Sequence, residues 1–261
     1  RQNKYSSTDV GFNINVNHKK LTIGANYNFG FNNSYHKGVF RRDFTSDSNI
    51  VRFDETANDR EKSIGHYANL NLKYAINDKN NIGIGTEVFQ NKNTGNSIST
   101  MNVYDKFIVD EPFNSIQKTN NHTNAQGLSP SFNFNYRSQL DTLGSMLELV
   151  YDYTYSSLRT KSHLNMGYFD SLENEQVIPH LDFTQSNPYI VNLHTAQLNY
   201  NKPLKKEHAV EFGVKFTWTK TTNDIQYNNL AGSDYVLDSS KSNKFQYIEN
   251  INAIFGTWSK A

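Results

Sequence analysis

The stretch that decides the fold reads IVNLHTAQLNYNKPLKKEHAVEFGVKFTWTK and covers residues 190–220. Every second residue is apolar in both halves of it. The apolar positions are Ala196, Leu198 and Tyr200, then Val210, Phe212, Val214, Phe216 and Trp218. A period of two places these side chains on one face of a strand and the intervening polar ones on the other. Because residues 201–207 form a short polar segment with a proline, the stretch predicts an antiparallel hairpin with one apolar and one polar face.

The strands of this hairpin are unusually long for a soluble protein. They cover about 11 to 15 residues, whereas strands of globular proteins usually have about five or six. A strand that crosses a bilayer at a tilt needs roughly 9–11 residues. Aromatic residues stand near the ends of the apolar face and charges occupy the other face, which favours a membrane β-barrel with lipid outside and water inside.

The composition excludes several other classes of protein. Hydrophobic residues make up 36% of the 261 residues and the mean hydropathy is −0.72, so no stretch approaches the roughly 20 apolar residues of a transmembrane helix. The aromatic content of 13% argues against disorder. The formal net charge of +1 gives no indication of nucleic-acid binding. The absence of cysteine excludes disulfides and thiolate zinc sites.

The same alternation predicts seven further strands, at residues 9–18, 21–35, 62–75, 82–91, 128–140, 145–158 and 245–260. The last has an ambiguous phase, because Ile251, Ala253 and Phe255 share a face with Glu249. Short connections near residues 19, 78, 142 and 204 alternate with long irregular ones at 36–61, 92–125, 159–187 and 221–244. Transmembrane barrels have short periplasmic turns and long extracellular loops. The fold prediction is therefore all-β: an antiparallel up-and-down meander of long strands.

Aromatic residues cluster at both ends of the predicted apolar band. Tyr74, Tyr136 and Tyr200 come shortly before short turns, and a second set lies toward the long connections: Phe29, Phe31, Tyr153, Tyr155, Phe216 and Trp218. Such rings favour the two membrane interfaces, so the rows are typical of the aromatic girdles of a barrel. The alternative is that they form the core of a soluble β-protein.

The sequence from Leu140 onward resembles a known family. The relevant pieces are the turn Leu-Asp-Thr-Leu-Gly-Ser at 140–145, the Asn-Asp pair at 223–224, and Phe-Gln-Tyr-Ile-Glu-Asn-Ile-Asn-Ala at 245–253. The last resembles an F-x-Y-x-E-x-I-x-A stretch of Bacteroidetes-type outer-membrane proteins related to TonB-dependent receptors. The resemblance covers about the last 120 residues well. The earlier part resembles the family only in its regular succession of hairpins.

The resemblance implies a location in the bacterial outer membrane and a role in taking up a nutrient ligand. Receptors of this kind have a 22-stranded barrel, an N-terminal plug inside it and a short segment that pairs with TonB. Residues 1–261 would then be one barrel segment of about nine strands from the middle of such a protein. Its expected partners are outer-membrane lipid, a small or oligomeric nutrient, and the plug and TonB through parts of the protein outside this chain. The alternative function is a soluble or surface-attached all-β ligand-binding module without a transport role.

Two sets of residues are candidates for a functional site. Charges on the predicted lumen face could hydrogen-bond a plug or line a path: Lys73, Glu87, Arg137, Glu148, Asp152, Glu211 and Lys215. Loop residues could contact a ligand at the cell surface, because loops on a rigid scaffold often bind ligands: Arg41, Arg42, Phe44, Tyr168, Phe169, Tyr189 and Tyr235. Solvation of the charges and packing of the loops on themselves are the simpler alternatives.

No motif in the sequence indicates catalysis or a cofactor. His163, His180 and Asp182 share one long connection, but their wide spacing favours ordinary loop residues over a metal site. No nucleophile elbow is present. His66 is the one histidine expected on an outward face, and no serine is placed to partner it. We therefore expect neither an enzyme, nor a cofactor, nor a nucleic-acid partner.

Overall fold

The chain forms a single β-sheet. The computed structural model describes residues 4–46, 49–104, 114–178, 180–204 and 208–260. The strands within them are β1 (Lys4–His18), β2 (Leu21–Ser46), β3 (Asn49–Asn77), β4 (Asn80–Tyr104), β5 (Ser115–Gln139), β6 (Met146–Asp170), β7 (Leu181–Pro203), β8 (His208–Ala231), β9 (Asp234–Leu237) and β10 (Asn243–Lys260). Among the described residues there is no helix of sufficient length and apolar character to cross a membrane.

The nine long strands are neighbours in chain order and all pair antiparallel. The order is β1 to β8 followed by β10, and the short β9 pairs with β8. Over the described part of the chain, β1 pairs only with β2 and β10 only with β8, so the sheet is open. The prediction of an all-β antiparallel meander is confirmed, with ten strands over the described residues.

Pairing in register defines two sides of the sheet. Val214 lies opposite Leu198 on β7 and Ile254 on β10, whereas its neighbour Lys215 lies opposite Gln197 and Ala253. We call the side of Val214 the outer side and the side of Lys215 the inner side. Apart from a bulge between Ala75 and Asn77 at the β3–β4 turn, the register carries the two sides across the sheet. The apolar members of the alternation on three hairpins, which the sequence predicts to share one face, all lie on the outer side: Phe132, Phe134, Leu147, Leu149, Leu198, Val214 and Phe216.

The outer side is apolar and uncovered. Phe12, Phe212 and Phe216 each remain more than half exposed, and Ile254 is 87% exposed. In the described part of the chain, the buried hydrophobic residues are Ala57 and Ile116 alone. Soluble monomers rarely expose apolar patches of more than a few hundred Å². The described part of the chain therefore has no core of its own, and its apolar surface requires an apolar environment.

Aromatic residues bound the apolar band at both ends. We call the end with the short connections the turn end and the opposite one the extension end. At the turn end, the Tyr136 hydroxyl donates a hydrogen bond of 2.7 Å to Oδ1 of Asn80. Toward the extension end, the ring of Trp218 lies 5.3 Å from that of His194. The Tyr136 hydroxyl thus points away from the middle of the band, as in rings that lie at membrane interfaces.

The four long connections are not the irregular loops that the sequence predicts. β2 and β3 continue in register to the pair Ser46 and Asn49, and β6 and β7 continue to Met166 and Leu181. Strands of 23 to 29 residues are far longer than the roughly 9–11 residues that a bilayer requires. These extensions lack apolar alternation because both of their faces meet water, while backbone hydrogen bonding continues the ladder. The long connections do lie at one end and the short ones at the other, as predicted; residues 47–48, 105–113, 179 and 205–207 of these connections lie outside the described residues.

One short turn explains a piece of the family-like sequence. The Oδ1 atom of Asp141 accepts hydrogen bonds of 2.9 Å from the backbone N–H groups of both Leu143 and Ser145. Gly144 has a φ of 93°, a conformation that favours glycine. The Leu-Asp-Thr-Leu-Gly-Ser segment is therefore a side-chain-capped turn that fixes the β5–β6 register.

Candidate functional site

The predicted lumen charges lie together on the inner side of the sheet. Register places all seven of them on the side of Lys215, from Lys73 on β3 to Glu211 on β8. Arg137 and Glu148 are direct cross-strand neighbours, but the Arg137 Nε atom contacts the sulfur of Met146. Their common side is thus established, whereas their roles stay predictions.

Amide side chains link these charges along the inner wall. Asn133 donates a hydrogen bond of 2.6 Å to Asp152, and Asn199 donates one of 3.3 Å to Glu148. Gln197 in turn donates to Oδ1 of Asn199 at 2.9 Å. The inner wall therefore presents a polar surface of neutral amides with scattered charges.

β10 departs from this pattern and resolves the ambiguous phase of the ninth strand. Ile251 lies opposite Thr217, and Phe255 lies opposite Gly213, both on the inner side. The residues of the F-x-Y-x-E-x-I-x-A stretch all share that side. Phe245, Tyr247 and Ile251 are each about half exposed. We call this set the β10 stripe: Phe245, Tyr247, Ile251, Ala253 and Phe255.

The tip of the β2–β3 hairpin forms an aromatic surface on the inner side. Arg42 and Phe44, both predicted ligand contacts, lie there beside Phe53, whose ring meets that of Phe44 edge-on at 5.5 Å. With Phe40, Glu55 and Met101 they line a cavity of about 210 Å³. The alternation of residues 40, 42 and 44 indicates that they share one face of a strand. This pattern does not enter the sequence-based prediction, which gives an irregular loop at 36–61.

Arg41 lies on the opposite, outer side of the same hairpin. It forms two hydrogen bonds with Asp54, at 2.7 and 3.1 Å, and Arg52 pairs in the same way with Asp43 at 2.6 and 2.8 Å. The hydrogen bond from Arg52 lowers the pKa of Asp43. Arg41 is thus part of a charged pair network and does not line the inner cavity.

The other predicted ligand contacts also divide between the two sides. Tyr168 and Tyr189 lie on the inner side. Phe169 lies on the outer side, where the Lys118 ammonium stands 4.8 Å from its ring centroid. Tyr235 pairs with Leu230 and is also on the outer side. Four of the seven residues, namely Arg42, Phe44, Tyr168 and Tyr189, therefore share the inner side of the sheet.

The outer side of the extensions carries a cluster that holds β9 to the β6–β7 hairpin. The Tyr235 hydroxyl donates to Asp182 at 2.6 Å, and His163 lies 2.9 Å from both groups. Asn165 donates to the second oxygen of Asp182 at 2.7 Å. Burial alone would raise the pKa of Asp182, but these hydrogen bonds outweigh it and lower that pKa.

His180 does not join this cluster. Its Nε2 atom lies 2.8 Å from a carboxylate oxygen of Glu175, and its ring lies near that of Phe169. Across the described ranges, no three His, Cys, Asp or Glu side chains come together to hold a metal ion. The structure thus unites His163 with Asp182 in a hydrogen-bonded cluster with Tyr235.

The expectation that His66 is the one outward histidine is wrong. His194 also lies on the outer side, because it shares the parity of Ala196 and Leu198. The two histidines have similar surroundings: Tyr27 bonds to Nδ1 of His66 at 2.7 Å, and Tyr151 to Nδ1 of His194 at 2.9 Å. Both are members of the aromatic row at the extension end of the apolar band.

Comparison with known proteins agrees with this geometry. Residues 138–261, just under half of the chain, match the sequence profile of the Outer membrane protein beta-barrel family. No curated protein matches the chain. No solved structure matches it either. The family match and the bare apolar side together assign the chain to the outer membrane as an antiparallel barrel wall.

Proposed function

We propose that this chain is part of the wall of a TonB-dependent-type receptor that takes up a nutrient through the outer membrane. The outer side contacts lipid and the inner side lines the lumen. The extensions project from the cell and present Arg42, Phe44, Tyr168 and Tyr189 toward the entering ligand. The protein performs no covalent chemistry, needs no cofactor and binds no nucleic acid.

The observation that carries this proposal is the β10 stripe. Elsewhere the inner side of the membrane-spanning strands consists largely of amides, small residues and charges, which suit a water-filled lumen; Phe89 and Leu158 are isolated exceptions, and the aromatic surface at the β2–β3 tip belongs to the extensions. Phe245, Tyr247 and Ile251 instead expose large apolar surfaces to that lumen. Because such surfaces are stabilised by contact with other apolar groups, we propose that a folded plug domain packs there.

The open edges support a barrel wider than this sheet. β1 and β10 each have one described neighbour, and an unpaired strand edge is not stable in hydrocarbon. Further strands of the protein would therefore complete the wall. A barrel of many more than nine strands has room for a plug.

The exposed apolar side argues against the soluble binding module. A protein in water would have to cover side chains such as Phe12, Phe212 and Ile254. The protein would accordingly need detergent or lipid for a monodisperse preparation, whereas a soluble module would not.

A growth experiment tests nutrient uptake. The gene for the full-length protein is deleted, and growth is compared on limiting iron-siderophore, glycan, peptide or cobalamin. The expected result is loss of growth on one of these, restored by the wild-type gene and abolished again when TonB is removed. Restored growth that is independent of TonB would overturn the proposal.

A pair of variants tests the role of the β10 stripe. Ile251→Asp places a charge within the stripe, and Thr257→Asp places one on the same side of β10 outside it. Both should insert, because charges are tolerated on a lumen wall. We expect Ile251→Asp to lower uptake or make the cells leaky to large antibiotics, and Thr257→Asp to resemble wild type. Equal behaviour of the two would contradict plug contact at the stripe.

A further inference from the structure

The outer side of the central strands has a marked charge asymmetry. Lys92, Arg159 and Lys161 lie on the outer side of β4 and β6, and Lys118 lies on that of β5. No carboxylate lies on the outer side of β4, β5 or β6 over their described lengths, since Glu87, Glu148, Asp152 and Asp170 are all on the inner side. Lys118 is paired with Glu173 at 2.8 Å, so Lys92, Arg159 and Lys161 make this surface cationic although the chain as a whole is nearly neutral.

Two of these cations line one cleft beside the apolar band. Register aligns Lys92, Gln126, Arg159 and Pro188 in one row across β4 to β7. The next row toward the turn end holds Gln90, Leu128, Ser157 and Ile190. Together with Tyr155, these residues line a cleft of about 340 Å³.

The cations of this cleft have no protein partner. Among the described residues neither Lys92 nor Arg159 forms an ion pair, and both side chains are exposed. Asp224 on β8, the carboxylate two strands away at the level of Arg159, faces Lys244 at 3.8 Å. The positive charge of the cleft is thus available to a ligand.

The cleft has an apolar part and a cationic part, which follow one another along the strands as the acyl chains and the headgroup do in a lipid molecule. Its apolar residues Leu128, Tyr155 and Ile190 adjoin the lipid-facing band, and its cations lie farther toward the extension end. Lys and Arg bind phosphate through charge-assisted hydrogen bonds, and their stems cover apolar surface. We propose that this cleft binds the phosphate-bearing headgroup of a lipid in the outer leaflet, with its acyl chains along Leu128 and Ile190. This inference rests on the outer-membrane location and is independent of nutrient uptake.

Lipid selectivity of the full-length protein tests the proposal. The probes are spin-labelled phosphatidylglycerol and spin-labelled phosphatidylcholine in mixed vesicles, and the measurement is their relative association with the protein. The site variant is Lys92→Gln with Arg159→Gln. The matched control removes two lysines from the inner side, Lys73→Gln with Lys215→Gln.

We expect wild type and control to associate more with phosphatidylglycerol than with phosphatidylcholine. In the site variant the ratio of the two should fall roughly fivefold for each cation removed. Equal losses in site and control variants would indicate a response to net charge and would overturn the proposal. Absence of a preference in wild type would also overturn it. Suppression of the preference by inorganic phosphate at matched ionic strength would indicate a site for free anions instead of a lipid.

Discussion

Val214 on β8 lies directly opposite Leu198 on β7, and both side chains lie on the outer side while Lys215 and Gln197 lie on the inner side. This pair occupies the middle of the apolar row from Val210 to Trp218. The row covers nine residues, which matches the length that a tilted strand needs to cross a bilayer. The depth of a substitution in this row should therefore determine its cost.

Val214→Arg in the full-length protein should lower the free energy of unfolding by about 2–4 kcal/mol, because the charge enters the middle of the hydrocarbon. Val210→Arg near the turn end should cost about 0–1 kcal/mol. Lys215→Ala on the inner side is the control and should have little effect. Urea unfolding in lipid vesicles measures all three, and equal penalties for the two arginines would speak against a membrane-spanning β8.

Gly213 is buried beneath the ring of Phe255 from β10, and a Cβ at this position would overlap that ring. Gly213→Val should destabilise the β8–β10 pair by about 1–3 kcal/mol, as overpacking does. The double variant with Phe255→Ala should recover part of this loss, because the ring is then absent while Oδ1 of Asn199 still lies 2.8 Å from the added Cβ. Unfolding in vesicles tests both, and a failure of the second change to compensate would place Phe255 elsewhere.

Residues of the two sides of the extensions should differ in their effect on uptake. Arg42→Ala with Phe44→Ala removes groups on the inner side and should raise the KM of nutrient uptake roughly tenfold, as loss of binding hot spots does. Arg41→Ala on the outer side should leave the KM unchanged. The nutrient is the one that supports TonB-dependent growth, and an equal rise in both variants would refute this division.

The contact of β9 with the β6–β7 hairpin should weaken in acid. The pKa of Asp182 is lowered in the folded protein, so its contribution is complete above the ordinary aspartate pKa of about 3.9 and is lost as the pH falls through the lower folded value. Hydrogen exchange of β9, corrected for intrinsic rates, should therefore accelerate on acidification. Tyr235→Phe should show fast exchange already at neutral pH and a smaller response to acid; an unchanged rate in this variant would exclude the contact.

Alternation in the sequence is sufficient to predict the membrane-spanning part of the fold. Leu147 and Leu149, for example, stand on opposite faces from Glu148 because only one side of β6 meets lipid. The extensions could not be predicted from the sequence, because segments such as 36–61 have water on both faces and their apolar residues therefore need not alternate with polar ones. The phase of β10 also escapes it, since Ile251 and Ile254 are both apolar and only pairing with β8 assigns them to different sides.

The candidate site was predictable to the same extent. The inner charges follow from the alternation of the strands, so all of them share one side. The separation of Arg41 from Arg42 follows from the register of the hairpin with Asp54 and Phe53, which no local pattern contains. The contact of Tyr235 with Asp182 joins residues 53 positions apart and depends on the fold alone.

In the membrane-spanning strands the outer side contacts lipid and the inner side contacts water. This chain has no cysteine, so single cysteines can be introduced at each position from 210 to 218 in a cysteine-free full-length protein. A membrane-impermeant thiol reagent is then applied to the protein in vesicles permeable through the barrel. We predict labelling at 211, 215 and 217 and protection at 210, 212, 214, 216 and 218, with 213 also protected because it lies beneath the ring of Phe255; uniform labelling, or protection of 211, 215 and 217, would contradict this assignment of the two sides.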